Sequence, residues 1–159
     1  MVEKVISGGQ TGVDRAALDA ALDAGLPVGG CCPKGRKAED GVIPERYPLV
    51  ELDSPLYSSR TEKNVVDSDG TLILNRGALT EGTRATWDFA LQHNRPCLIV
   101  QLDQLDREEP GCWQPVFCWL EKHDLRVLNV AGPRESKLPG GIYREAYRYL
   151  AGLFSALSR

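Results

Sequence analysis

Residues 2–24 read VEKVISGGQTGVDRAALDAALDA, and this stretch decides the fold. Val2 to Ile6 has the length and hydrophobicity of a buried strand. Gly8, Gly9 and Gly12 follow at once, and from Gly12 to Ala24 small residues recur at Val13, Ala17, Ala20, Ala21 and Ala24. That spacing is a helical stripe suited to close packing on a sheet. Strand, glycine loop and helix together open an α/β domain, in which ligands sit beyond the carboxyl ends of the strands.

The rest of the chain repeats the alternation. Pro27 to Cys31, Thr71 to Leu74, Cys97 to Leu102 and Arg126 to Val130 read as further short strands. Helical patterns cover Thr83 to His93, Pro115 to His123 and Ile142 to Leu157, the last with an apolar face at Ile142, Ala146, Leu150, Leu153 and Leu157. Ser59-Arg60-Thr61-Glu62 has the form of a capping box for a helix ending near Asp67. Positions 32–58 hold four prolines and are expected to be an irregular, functional excursion. The expectation is a single α/β domain over residues 1–159. It is a Rossmann-like three-layer α/β/α sandwich with a mainly parallel sheet of five strands or slightly more.

Composition narrows the function. The formal net charge is −3 with no basic tail, so a general phosphate-backbone binder of nucleic acid is disfavoured. No apolar run approaches the roughly 18 residues of a membrane span, and the amino terminus lacks a signal-peptide layout. Five cysteines without a CxxC pair read as reduced, mostly packed thiols of a cytoplasmic protein, and no metal site is expected. The oligomeric state is not fixed, and a homo-oligomer is compatible with the sequence.

Each segment after a strand is a candidate wall of a ligand site. Gly8-Gly9-Gln10-Thr11-Gly12 lets backbone N–H groups approach an anion beside a helix amino terminus. Thr11-x-x-Asp14 equally forms a capping box, so that reading stands beside the first. Lys34, Arg36 and Lys37 place three cations after the second strand, where a phosphate would need them or where a solvated loop would carry them. Gly82-Thr83 opens another helix, with capping by Thr83 as the simpler role. Arg134 follows the fifth strand. Asp67-Ser68-Asp69-Gly70 enters its strand from the amino end and reads as a turn. His93 and His123 fall at helix carboxyl ends, and the tyrosines and tryptophans of the last helices fall at packing positions.

Taken jointly, these motifs resemble a family. Gly8-Gly-Gln-Thr-Gly-Val-Asp-Arg15, Cys32-Pro-Lys-Gly-Arg36 with Ala38-Glu-Asp-Gly41, Arg60-Thr61 with Asn64-Val65, Asp67-Ser-Asp-Gly-Thr71 and Asn129-Val-Ala-Gly-Pro-Arg-Glu-Ser136 run in order along nearly the whole chain. The chain is thereby similar to the family named "putative molybdenum carrier", a circularly permuted, YpsA-like branch of the SLOG/LOG Rossmann-like superfamily. The resemblance implies a pocket for a phosphate-bearing, nucleotide-like molecule such as a nucleotide or the molybdenum cofactor (molybdopterin). It implies binding by Gly8, Gly9, Gln10, Thr11, Gly12, Lys34, Arg36, Arg60, Gly82, Thr83 and Arg134. Two positions depart from the family pattern: Cys31 stands where a tryptophan is common, and Glu81 where a glycine is common.

Two functions follow as expectations, a carrier or sensor of such a ligand and a LOG-like phosphoribohydrolase acting on nucleoside monophosphates. The second wants a carboxylate at the ribose. The glutamate of the LOG loop is replaced here by Thr86, which leaves Asp14, Glu81 or Asp88 as the candidate acids. Glu81 also puts negative charge beside a phosphate loop, with Arg76 and Arg84 available to offset it.

Overall fold

A computed structural model describes residues 1–106 and 112–159. In chain order the elements are β1 (Lys4–Ile6), α1 (Val13–Asp23), β2 (Val28–Gly29), β3 (Cys31–Cys32), β4 (Lys37–Ala38), β5 (Gly41–Val42) and β6 (Val50–Glu51). There follow α2 (Tyr57–Asp67), β7 (Gly70–Asn75), α3 (Glu81–Gln92), β8 (Cys97–Gln101), α4 (Gln114–Lys122), β9 (Val127–Ala131) and α5 (Tyr143–Leu157). A short 3-10 turn, Glu135–Lys137, precedes α5.

Five strands form the central sheet in the order β2-β1-β9-β7-β8, and every neighbouring pair is parallel. Parallel pairing demands crossovers, and the helices supply them. α1, α4 and α5 share one apolar core with the sheet, while α2 and α3 pack together elsewhere. The alanine stripe of α1 works as its spacing suggests. Of its positions Val13, Ala17, Ala20 and Ala21 are buried and Ala24 is half-buried, so α1 lies close to β9 and α5. All six residues of β7 are buried, as expected of a strand inside a sheet covered on both faces.

At the amino edge, Asp69 ties two strands together: its Oδ2 accepts from Arg126 N at 3.0 Å and Val127 N at 2.7 Å. Of the Asp67–Gly70 segment only Ser68 and Asp69 form a bend, because Asp67 ends α2 and Gly70 opens β7.

Three local expectations are corrected. The run from Pro27 to Cys31 is not one strand. Gly30, at φ 124°, lies against the Ser7 carbonyl, where a Cβ would come within 2.1 Å, and the chain turns there into β3. The excursion that follows is not irregular throughout, because β3 pairs with β6 and β4 with β5. Nor does Ser59 cap α2. The helix begins at Tyr57, and Ser54 Oγ, two residues before Leu56, accepts the Leu56 N–H at 3.2 Å.

Candidate functional site

A cavity of about 380 Å³ opens at the carboxyl edge of the sheet. Its floor is Gly8 after β1 and Asn129–Ala131 of β9, and its walls are α2, the first turns of α3 and the segment from Gly132 to Lys137. The volume lies within the range of about 300–1,000 Å³ usual for small-molecule sites.

At the centre of this lining are Asp14 and Arg60. Arg60 comes from α2, and its Nη1 lies 3.0 Å from Asp14 Oδ2. That same oxygen accepts the Gln10 N–H at 3.2 Å. Burial pushes the Asp14 carboxyl above its ordinary range, against the pull of Arg60 and the Gln10 N–H. Arg60 Nε donates to Tyr57 O at 3.3 Å. Both side chains are nearly buried, and the guanidinium passes directly over Gly8. Sequence reasoning nominates the two residues separately, and the fold makes them one unit across 46 positions.

The capping box at Thr11 does not form. Gly12 is the N-cap of α1 and no side chain caps that helix. Thr11 Oγ1 instead donates to Glu39 Oε1 and accepts the Glu135 N–H at 3.2 Å. Gln10 Oε1 accepts from Thr11 N at 3.0 Å and Glu39 N at 2.9 Å. Gly12, at φ 80°, sits against the Pro133 carbonyl, where a Cβ would come within 2.4 Å. The glycine loop is therefore clamped between the 38–40 segment and the loop after β9. Gly8 and Gln10 reach the cavity, while Gly9, Thr11 and Gly12 lie behind its lining.

Arg36 is turned away from the cavity. Its backbone is left-handed at φ 52°, and its guanidinium donates to Ile43 O at 3.1 Å, Leu49 O at 3.3 Å, and Pro44 O and Tyr47 O at 2.9 Å each. Those bonds hold the excursion in shape. Lys34 is exposed and is not part of the lining either. What this segment contributes is Glu39, whose Oε2 lies 3.3 Å from Arg134 Nε and whose Oε1 accepts the Ser136 N–H at 3.2 Å.

Thr80–Thr83 form the opposite wall. Thr80, not Thr83, is the N-cap of α3: its Oγ1 accepts the Thr83 N–H at 3.4 Å. Glu81 and Gly82 are exposed in the first turn, and both face the cavity with Thr83. Arg76 does not offset Glu81, because Nη1 is 3.2 Å from Glu145 Oε2 and Nη2 donates to Pro139 O and Gly141 O. Tyr57, Ser58, Thr80, Ala85 and Lys137 line the cavity from outside the motifs quoted above. A lone tyrosine or lysine carries no motif. Lys137 alone has a signal, its position three residues after Arg134.

A parallel sheet with helices on both sides and a cavity at its carboxyl edge defines a Rossmann-like α/β protein. A model of the circularly permutated YpsA SLOG family matches residues 5–154, and the chain belongs to that family. It is similar to a crystal structure described as "putative molybdenum carrier protein" from Syntrophus aciditrophicus SB. The two are 48% identical, the match covers 96% of this chain and 94% of the other, and the TM-score is 0.89. No curated protein matches the chain.

Proposed function

We propose that the cavity binds a phosphate-bearing, nucleotide-like small molecule, and that the chain acts as its carrier or sensor. The observation that carries this reading is which lining groups remain open. Thr61, Asn64 and Thr86 spend their side chains on nearby backbone carbonyls, and Thr80 spends its hydroxyl on Thr83. The guanidinium nitrogens of Arg60 and Arg134 are only partly used, and Lys137 Nζ has no bond to a described residue. The first turn of α3 adds backbone N–H groups with its dipole. A lining whose open groups are mainly donors suits a ligand rich in acceptor oxygens. Glu81 remains as an acceptor for a hydroxyl, as on a sugar.

The molybdenum cofactor fits this lining in part. Its phosphate would be held by Arg60 and the α3 amino terminus. For molybdenum itself, no group of three or more His, Cys, Asp or Glu among the described residues is arranged to hold a metal ion. The residues thus fit the phosphate end of such a ligand and leave the metal to ligands it brings.

Thermal-shift measurements against nucleotides, ADP-ribose-type compounds and pterin phosphates test the reading. Stabilisation by at least one of them, lost in Arg60→Ala, is the expected result. No stabilisation by any of them contradicts it. The open carboxylate of Glu81 also favours a second reading, hydrolysis of a nucleoside monophosphate. Free base released by the wild type and abolished by Glu81→Gln would make the protein a hydrolase.

A further inference from the structure

Arg134 and Lys137 are the two ends of one turn. Lys137 N donates to Arg134 O at 3.1 Å, closing the 3-10 turn Glu135–Lys137. In a turn of this pitch residues three apart stand one above the other. Both cations therefore serve the same wall of the cavity, and both belong to its lining.

The turn is built, not loose. Thr11 Oγ1 accepts the Glu135 N–H, Glu39 accepts the Ser136 N–H, and Glu135 Oε1 accepts the Tyr143 N–H at 2.9 Å. Glu39 Oε2 stands 3.3 Å from Arg134 Nε as an ion pair without hydrogen-bond geometry, and Nε is buried without a hydrogen-bond partner. Both Nη atoms of Arg134 and Nζ of Lys137 likewise have no hydrogen bond to a described residue. Meanwhile Arg60 reaches the cavity from a different element, α2, and with the α3 amino terminus provides for one phosphate by itself.

We propose that Arg134 and Lys137 form a second anion-binding focus, so that the cavity's ligand carries two anionic groups, as a nucleoside diphosphate does. The proposal rests on the ligand reading above and goes further by naming the charge pattern. A planar guanidinium with two free nitrogens and an adjacent ammonium match the oxygens of a terminal phosphate. Nucleosides with a single phosphate would engage Arg60 and α3 and leave this pair unused.

Isothermal titration of nucleoside monophosphates and the matching diphosphates tests it, with the full chain as wild type, Lys137→Ala and Arg134→Lys. Lys137→Ala removes no side-chain bond between described residues, so folding is kept. The wild type is expected to bind a diphosphate about tenfold or more tightly than its monophosphate. Both variants are expected to weaken the diphosphate more than the monophosphate and so shrink that ratio toward one. Equal affinities in the wild type, or a preference that survives both substitutions, would overturn the proposal and leave the cavity's phosphate reading standing. Binding of neither compound removes that reading, and this proposal with it.

Discussion

Gly8 carries no side chain, and the Arg60 guanidinium occupies the space one would fill: a Cβ there would stand 1.8 Å from Nη1. In Gly8→Ala the arginine must swing away, because its flexible end yields before the backbone does. Asp14 then stays buried without its cation. Losing one partner of a buried ion pair costs about 3–5 kcal/mol. Urea unfolding is expected to show a loss of that order, with ligand binding lost as well. Gly82→Ala makes the informative contrast. Its Cβ meets nothing within 4 Å and its helical backbone is unstrained, yet it faces the cavity. Stability should hold or rise by up to about 1 kcal/mol, while the added methyl group crowds the bound molecule and weakens binding. A Gly8→Ala protein as stable as the wild type would refute the stabilising role of the Asp14–Arg60 pair.

Among the elements, the segment from Pro33 to Glu51 depends most on a single side chain. Arg36 donates to four carbonyls of its own excursion, and Arg15 joins the segment to α1 through Asp40 at 2.7 Å. Hydrogen bonds to a charged group contribute about 1.5–3 kcal/mol each when none can be replaced by water. Arg36→Ala leaves carbonyls that solvent can reach in part, so a total near the value for one such bond is expected. Hydrogen exchange should quicken at the amides of 33–51 and stay unchanged in β1, β7 and β9. Uniform quickening across the sheet would show instead that the excursion is part of the global core. The same segment shows where local sequence stops being informative. The main strands and helices are legible because periodicity depends on neighbours within a few residues. The direction of Arg36 depends on one left-handed backbone angle and on carbonyls up to 13 positions away. Three cations in four residues therefore suggest a phosphate site that the fold turns into a brace. The two capping boxes fail for different reasons: Glu39, 28 positions away, claims the Thr11 hydroxyl, and α2 begins at Tyr57, so that Ser59 lies inside the helix.

For the molecule as a whole, the cavity exists because four distant segments meet at one edge: the loop after β1, α2, the start of α3 and the turn after β9. Its location is legible from the rule that parallel sheets bind ligands beyond their carboxyl ends. Its pairing is not, since Asp14–Arg60 and Glu39–Arg134 join residues that no local pattern connects. The chain is acidic overall, and its cavity places cations on two separate walls. No helix among the described residues is long and apolar enough to cross a membrane. Phosphate recognition is the proposed basis of binding at this edge. Its most direct measurement is calorimetric titration of the common nucleoside 5′-monophosphates beside their parent nucleosides, on wild type and on Arg60→Ala. At least one nucleotide is expected to bind about tenfold or more tightly than its nucleoside, and Arg60→Ala to remove the difference. Equal affinity with and without the phosphate, or no binding of any nucleotide, would contradict it.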